Sequence, residues 1–267
     1  MNTASYALIT GASSGLGKEF AIQCARRGMN ILLVALPGGF TRSLAQELEL
    51  AFGISAHVYE FDLTDTRQLI GNMHEITGKY RIHLLINNAG IGGTSSILDT
   101  SLERIDSIIQ LNVRSTSLVT RLLIPHLMQE ERSYILNISS MAAFSPIAYK
   151  TVYPASKAFI SSFSLSLREE LAGTGISVSV VYPGPIMTNS YTARRIIWQG
   201  MKGKMGLLPS SRIAAIALDK TLQGQPSIVP GLMNRVNHFL MGLIPEGLRL
   251  KIISREVRKE IQYSLSV

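Results

Sequence analysis

Seven short runs of almost uninterrupted apolar residues, most of them followed by a stretch of helical periodicity, confine this chain to one broad architecture. The runs read YALIT, NILLVA, SAHVYEF, HLLIN, SYILNIS, ISVSVVY and SIVP. A strand that is apolar at successive positions must be covered on both faces. Helices are expected between them at residues 15–27, 41–52, 66–78, 102–129, 152–172 and 210–223. Such alternation predicts an α/β fold: a doubly wound, seven-stranded parallel sheet with right-handed crossovers and helices on both faces, in three layers. No repeat or low-complexity linker divides the chain, so 1–267 reads as a single domain. Two segments break the rhythm, 185–208 and 231–267. Segments that follow late strands fall at the carboxyl edge of the sheet, where open α/β folds bind ligands. The first is expected to be a substrate lid and the second a C-terminal extension.

Composition narrows the function classes. Hydrophobic residues at 46% supply a large core, and charged residues at 16% argue against disorder. The single cysteine, Cys24, can form no internal disulfide, which fits a reducing, cytoplasmic setting. The first strand begins too early to leave room for a signal peptide. No apolar run approaches the roughly 20 residues that span a bilayer. The net charge of +8 raises the question of nucleic acid, but no zinc spacing, helix-turn-helix pattern or aromatic/basic RNA motif accompanies it, so no nucleic-acid partner is expected. A basic surface suits an anionic cofactor, an acidic acyl carrier or a membrane headgroup instead. The five histidines show no ligand spacing, and no metal is expected.

The first strand runs into Thr10-Gly11-Ala12-Ser13-Ser14-Gly15-Leu16-Gly17 and then a helix. Glycines let the backbone turn tightly and approach a pyrophosphate, while the helix N-terminus offers free N–H groups and a favourable dipole. The spacing is G-x-x-x-G-x-G. With NNAG (87–90), NISS (137–140), YPASK (153–157) and YPGPIMT (182–188) in this order, the chain strongly resembles the short-chain dehydrogenase/reductase family over about residues 5–230. That resemblance implies a Rossmann-type fold, a nicotinamide dinucleotide, and hydride transfer between it and a carbonyl or alcohol carbon.

Tyr153 and Lys157 lie four apart on an expected helix, so their side chains share a face. A free phenol titrates near 10, and a neighbouring ammonium favours the phenolate, which brings the group toward acid/base work at neutral pH. The resemblance implies that Tyr153 is the acid/base and that Lys157 also holds the nicotinamide ribose. It further implies that Ser140, thirteen residues before Tyr153, steadies the substrate oxygen; Ser139 is the adjacent candidate, turned the other way by strand alternation. Asn112 matches the family asparagine that holds a relay water, although a buried asparagine satisfying a backbone carbonyl is the plain alternative. For the cofactor, the resemblance points to Gly11, Ser13, Ser14, Gly15, Leu16 and Gly17 at the first turn. Asp62, with Leu63 beside it, is placed at the adenine, while Asp65 is a rival as a helix cap. Asn88, Ala89 and Gly90 are placed at the ribose, and Pro183, Gly184, Ile186 and Thr188 at the nicotinamide.

An NAD site normally carries a carboxylate at the end of the second strand. Here that strand ends Val34-Ala35-Leu36-Pro37-Gly38-Gly39, with no acid from Phe20 through Gln46. NADP (NADPH) is therefore favoured and NAD kept as the alternative, with Arg42 as the candidate phosphate partner and Leu36 where an arginine is common. From Pro185 to Leu218 there is no acid, whereas Arg194, Arg195, Lys202, Lys204 and Arg212 are interspersed with apolar residues. An apolar substrate follows: a ketoacyl chain, a sphingoid precursor or a steroid. The tail mixes apolar and basic residues and is either a packed helix or an amphipathic element on a membrane or partner subunit. The family resemblance also implies a homodimer or homotetramer through the helices near 102–129 and 152–172. A non-catalytic dinucleotide sensor would share the fold but has no evident need for Ser140, Tyr153 and Lys157 together. A nucleotide-sugar epimerase would need a larger C-terminal domain.

Overall fold

All seven expected strands form, and they lie parallel in one sheet. The computed structural model describes residues 5–186 and 206–265. The strands are β1 Ser5–Thr10, β2 Asn30–Ala35, β3 Ala56–Glu60, β4 Arg81–Asn87, β5 Ser133–Ile138, β6 Ile176–Val181 and β7 Ser227–Ile228, in the order β3-β2-β1-β4-β5-β6-β7. Strand order reverses between β1 and β4, which opens a crevice at their carboxyl ends.

Successive residues of each central strand enter opposite cores. Ala7, Ile9, Ile31 and Leu33 pack with α1 (Gly15–Ala25), α2 (Thr41–Phe52) and α7 (Ser210–Leu222). Tyr6, Leu8, Leu32 and Val34 pack with α3 (Thr66–Lys79), α5 (Thr116–Leu127) and α6 (Val152–Glu170). This explains the unbroken apolar runs: a strand with two covered faces has no polar side to alternate with. Cys24 is fully buried in the first core, and burial pushes its thiol up to about 12, where it is chemically quiet.

A buried polar chain crosses the second core. Asn87 Nδ2 donates to Thr120 Oγ1 and Asn137 Oδ1, both at 2.9 Å, and Asn137 Nδ2 donates to Ser164 Oγ at 2.9 Å. With its partners present, each group avoids the penalty of burial unsatisfied. The chain ties the carboxyl ends of β4 and β5 to α5 and α6.

The single helix expected at 102–129 is interrupted. It is divided into α4 (Leu102–Ile109), a π-helical turn (Gln110–Ser115) and α5. The cause is tertiary: the Asn112 side chain is drawn to the backbone of Ile91. After β7 come α8 (Leu232–Leu243) and α9 (Glu246–Leu265), separated at Pro245. No helix among the described residues is long and apolar enough to cross a membrane. Of the expected lid 185–208, residues 187–205, which include Thr188, Arg194, Arg195, Lys202 and Lys204, lie outside the described residues.

Candidate active site

The turn after β1 is closed by the strand beside it. Thr10 Oγ1 accepts from the N–H groups of Asn88 and Ala89 at 3.0 and 3.1 Å, while Asn88 Nδ2 donates to the carbonyls of Thr10 and Gly11, both at 3.0 Å. Asn88 is thus a clamp on the glycine turn. Gly17 must be glycine for this closure, since a Cβ there would lie 2.1 Å from the Gly11 oxygen and 2.5 Å from Asn88 Nδ2. Ser14, at the N-cap of α1, makes no side-chain capping bond. Such an end presents its N–H groups to an anion.

A cleft of about 360 Å³ opens beside this helix end, lined by Ser13, Ser14, Gly15, Lys18, Phe40 and Ser43, with Leu44 and Glu47 completing it. Lys18 was not singled out in the sequence; its position one turn after Ser14 is the signal that could have found it. It forms no ion pair among the described residues. Arg42, the expected phosphate partner, is instead engaged by Glu60 at 2.6 Å and does not line the cleft. Leu36 stands exposed at the end of β2. Asp62 accepts from the Thr64 N–H at 2.8 Å in a tight turn, with Leu63 buried behind it, and Asp65 is the cap of α3, accepting from Arg67 and Gln68.

Just beyond β4, two and four residues after Asn88, Gly90 and Gly92 meet the candidate proton machinery. A Cβ at Gly90 would lie 3.1 Å from Asn112 Oδ1 and 3.3 Å from Lys157 Nζ; one at Gly92 would lie 3.1 Å from the Tyr153 ring. Gly92 was also missed in the sequence, although glycines so soon after NNAG hint at a close approach. Lys157 Nζ donates to the Ile138 carbonyl at 2.9 Å and stands 5.9 Å from the Tyr153 ring centroid. Asn112 donates from Nδ2 to Ile91 O and to Ser156 Oγ, and Oδ1 accepts from the Ile91 N–H, all at 2.9 Å. Both its amide hydrogens are therefore committed.

The two serines at the end of β5 differ sharply. Ser139 is buried and gives its hydroxyl hydrogen to the Lys157 carbonyl at 2.7 Å. Ser140 accepts from the Ala142 N–H at 3.1 Å, which leaves its own hydrogen free to donate. Beyond β6, Pro183 accepts from the Met141 N–H at 3.0 Å, and Gly184 lies tight against Asn234. Buried Asn234 donates to Gly206 O and Pro230 O at 2.9 and 2.8 Å, a role no local sequence signal announced. Ile186 packs on the first core.

Burial pushes the Lys157 ammonium down to about 8 from 10.5. A depressed lysine holds fewer protons in the folded chain than in the unfolded chain between those two values. Stability therefore rises with pH across that window, and the penalty is complete below it. The span corresponds to roughly 3 kcal/mol. In urea unfolding of the cofactor-free protein, the stability difference between wild type and Lys157→Met is expected to be flat below pH 8 and to climb from there to pH 10.5. A flat difference throughout would mean that the ammonium is solvated.

Residues 5–196 match the family model described as short chain dehydrogenase. An uncharacterized short-chain type dehydrogenase/reductase of Sinorhizobium fredii is 36% identical over 72% of this chain and 73% of its own length. A very-long-chain 3-oxoacyl-CoA reductase of Mycosarcoma maydis is 34% identical over 73% of this chain, and the match spans only 57% of that protein. Among solved structures, a short-chain dehydrogenase from Sphingobium yanoikuyae in complex with NADPH superposes with a TM-score of 0.75 at 28% identity, covering 91% of this chain and 97% of that one.

Proposed function

The chain belongs to the short-chain dehydrogenase family and is an oxidoreductase of carbonyl and alcohol groups, and on that footing we propose that it works with NADP(H) on an apolar ketone or secondary alcohol. One observation carries this reading. The segment 88–92 clamps the glycine turn through Asn88 and, within the next four residues, abuts Lys157, Asn112 and Tyr153. Phosphate site and proton site are thereby built on one strand end.

The residues fit a dinucleotide. Gly11, Ser13, Ser14, Gly15, Leu16 and Gly17 form a turn too tight for any side chain at 17, ending at a helix with an uncapped N-terminus. Lys18 and Ser43 would hold the 2′-phosphate, Asp62 and Leu63 the adenine, Ala89 and Gly90 the adjoining ribose, and Pro183, Gly184 and Ile186 the nicotinamide. When bound, the nicotinamide supplies or accepts the hydride. Tyr153 gives its proton to the carbonyl oxygen, or takes one from the alcohol in the reverse direction. Ser140 donates its free hydrogen to that oxygen and steadies its growing charge. Lys157 brings positive charge beside Tyr153 and binds ribose hydroxyls. Asn112 is a positioning residue, because its amide fastens the Ile91 backbone against Lys157.

The cleft beside Tyr153, about 210 Å³, sets Ile97, Ile108 and Val152 among hydroxyl groups, Arg104 and Lys150, which suits an apolar body carrying a polar group: a ketoacyl chain, a sphingoid or a steroid. The fungal relative's name agrees with the first of these. Exposed Ile109, Phe159 and Leu165 on α4 and α6 support assembly into a homodimer or homotetramer.

Fluorescence titration tests the cofactor assignment. NADPH is expected to bind at least about tenfold more tightly than NADH, the gain from one charge-assisted phosphate contact. Lys18→Met should erase that preference with little change in NADH binding. Equal affinities in the wild type would overturn the NADP assignment, and tighter NADH binding would make this an NAD enzyme.

A further inference from the structure

The outer face of α8 is apolar where a surface helix is normally polar. Leu232, Val236, Phe239, Leu240 and Leu243 recur at three- and four-residue spacing, and Leu232, Phe239 and Leu243 are 70%, 68% and 68% exposed. This spacing gathers them on one stripe. The opposite face does the packing: Asn234 is buried, and the His238 ring lies 3.9 Å from that of Phe144.

The next helix repeats the arrangement with charge. On α9, Leu248 and Ile252 are exposed, and Arg255 and Lys259 follow at the same spacing, flanked by Lys251; Lys259 also pairs with Glu256 at 3.2 Å. Inward, Val257 is buried and Ser254 Oγ accepts from the Ala148 N–H at 3.2 Å. Both helices pack on the stretch 144–148, α8 through His238 on Phe144 and α9 through Ser254 on Ala148. Between residues 231 and 267 six basic residues stand against three acidic ones.

We propose that α8 and α9 dock the protein on an anionic lipid surface, with the α8 stripe entering the interface and the basic residues of α9 meeting the headgroups. Charge complementarity selects this occupant. A second copy laid on the stripe by a two-fold axis would bring like-charged α9 faces toward each other. A bilayer with anionic headgroups takes both the apolar stripe and the positive charge. The inference stands apart from the choice of cofactor and substrate.

Flotation of the full chain with vesicles tests it. Vesicles of phosphatidylcholine with phosphatidylserine should carry the protein up the gradient at low ionic strength; phosphatidylcholine alone should bind at least about tenfold less. Phe239→Glu with Leu243→Glu should abolish flotation while the circular dichroism spectrum is retained. Arg255→Glu with Lys259→Glu should weaken it by about tenfold or more. Absence of flotation with the phosphatidylserine vesicles would overturn the proposal, as would flotation unchanged in the stripe variant. So would a stripe variant that turns an oligomer into a monomer on gel filtration while wild type ignores vesicles.

Discussion

Tyr153→Phe is expected to lower turnover of an apolar ketone by about three orders of magnitude while NADPH affinity stays within about twofold. The change removes one oxygen and nothing else. The ring sits against Gly92, where an added Cβ would lie 3.1 Å away, so phenylalanine fills the same slot. Lys157 keeps its bond to the Ile138 carbonyl, and Ser140 keeps its own hydroxyl for the substrate oxygen. What is lost is proton transfer, which is typically worth about 10²–10⁴ in rate. Stopped-flow absorbance of NADPH with a series of ketones would measure it. A fall below about tenfold would remove Tyr153 from the acid/base role. Loss of cofactor binding together with turnover would mark it as structural.

The second large effect is expected at Gly17. An alanine methyl would be driven to 2.1 Å from the Gly11 carbonyl oxygen, an atom of a turn that Asn88 already holds shut. Backbone cannot swing aside as a flexible side chain would. The turn must open, and two consequences follow: a stability loss of about 2–4 kcal/mol and at least about a hundredfold loss of dinucleotide affinity, since the N–H groups that meet the phosphates are misplaced. Gly71→Ala is the matched control. It lies in α3 with nothing within 4 Å of the added methyl. There alanine should stabilise by up to about 1 kcal/mol through helix propensity. Urea unfolding and NADPH titration of both variants decide the matter; Gly17→Ala with wild-type binding would disprove the clamp.

These two residues were legible in the sequence for different reasons. Gly17 stands in a turn whose position between a strand and a helix already implies a close approach, and Tyr153 stands four residues before a lysine. The sheet was equally legible, because strands buried on both faces announce themselves as apolar runs. What escaped depends on contacts between distant segments. Arg42 looked available until Glu60, eighteen residues on, claimed it. Lys18 drew no notice because an exposed lysine on a helix is ordinary; only the arrival of Phe40 and Ser43 makes it the wall of a cleft. Asn112 matched a family position, yet its side chain makes the backbone bonds that the plainer alternative described. The tail was visibly amphipathic, but periodicity cannot say which face turns inward. In α8 the packing is done by Asn234 and His238, and the apolar stripe is left outside.

The π-helical turn at Gln110–Ser115 acts as a phase shifter. One residue inserted into a helix advances everything after it by about 100° around the axis. Without it, Asn112 and Val119, seven residues apart, would fall on nearly the same face, and that face would have to serve two surroundings. With it, Asn112 reaches the strand end at Ile91 while Val119, Leu123 and Leu127 still point into the sheet. The gear change separates the turn that holds the Ile91 backbone from the part of the helix that packs on the core.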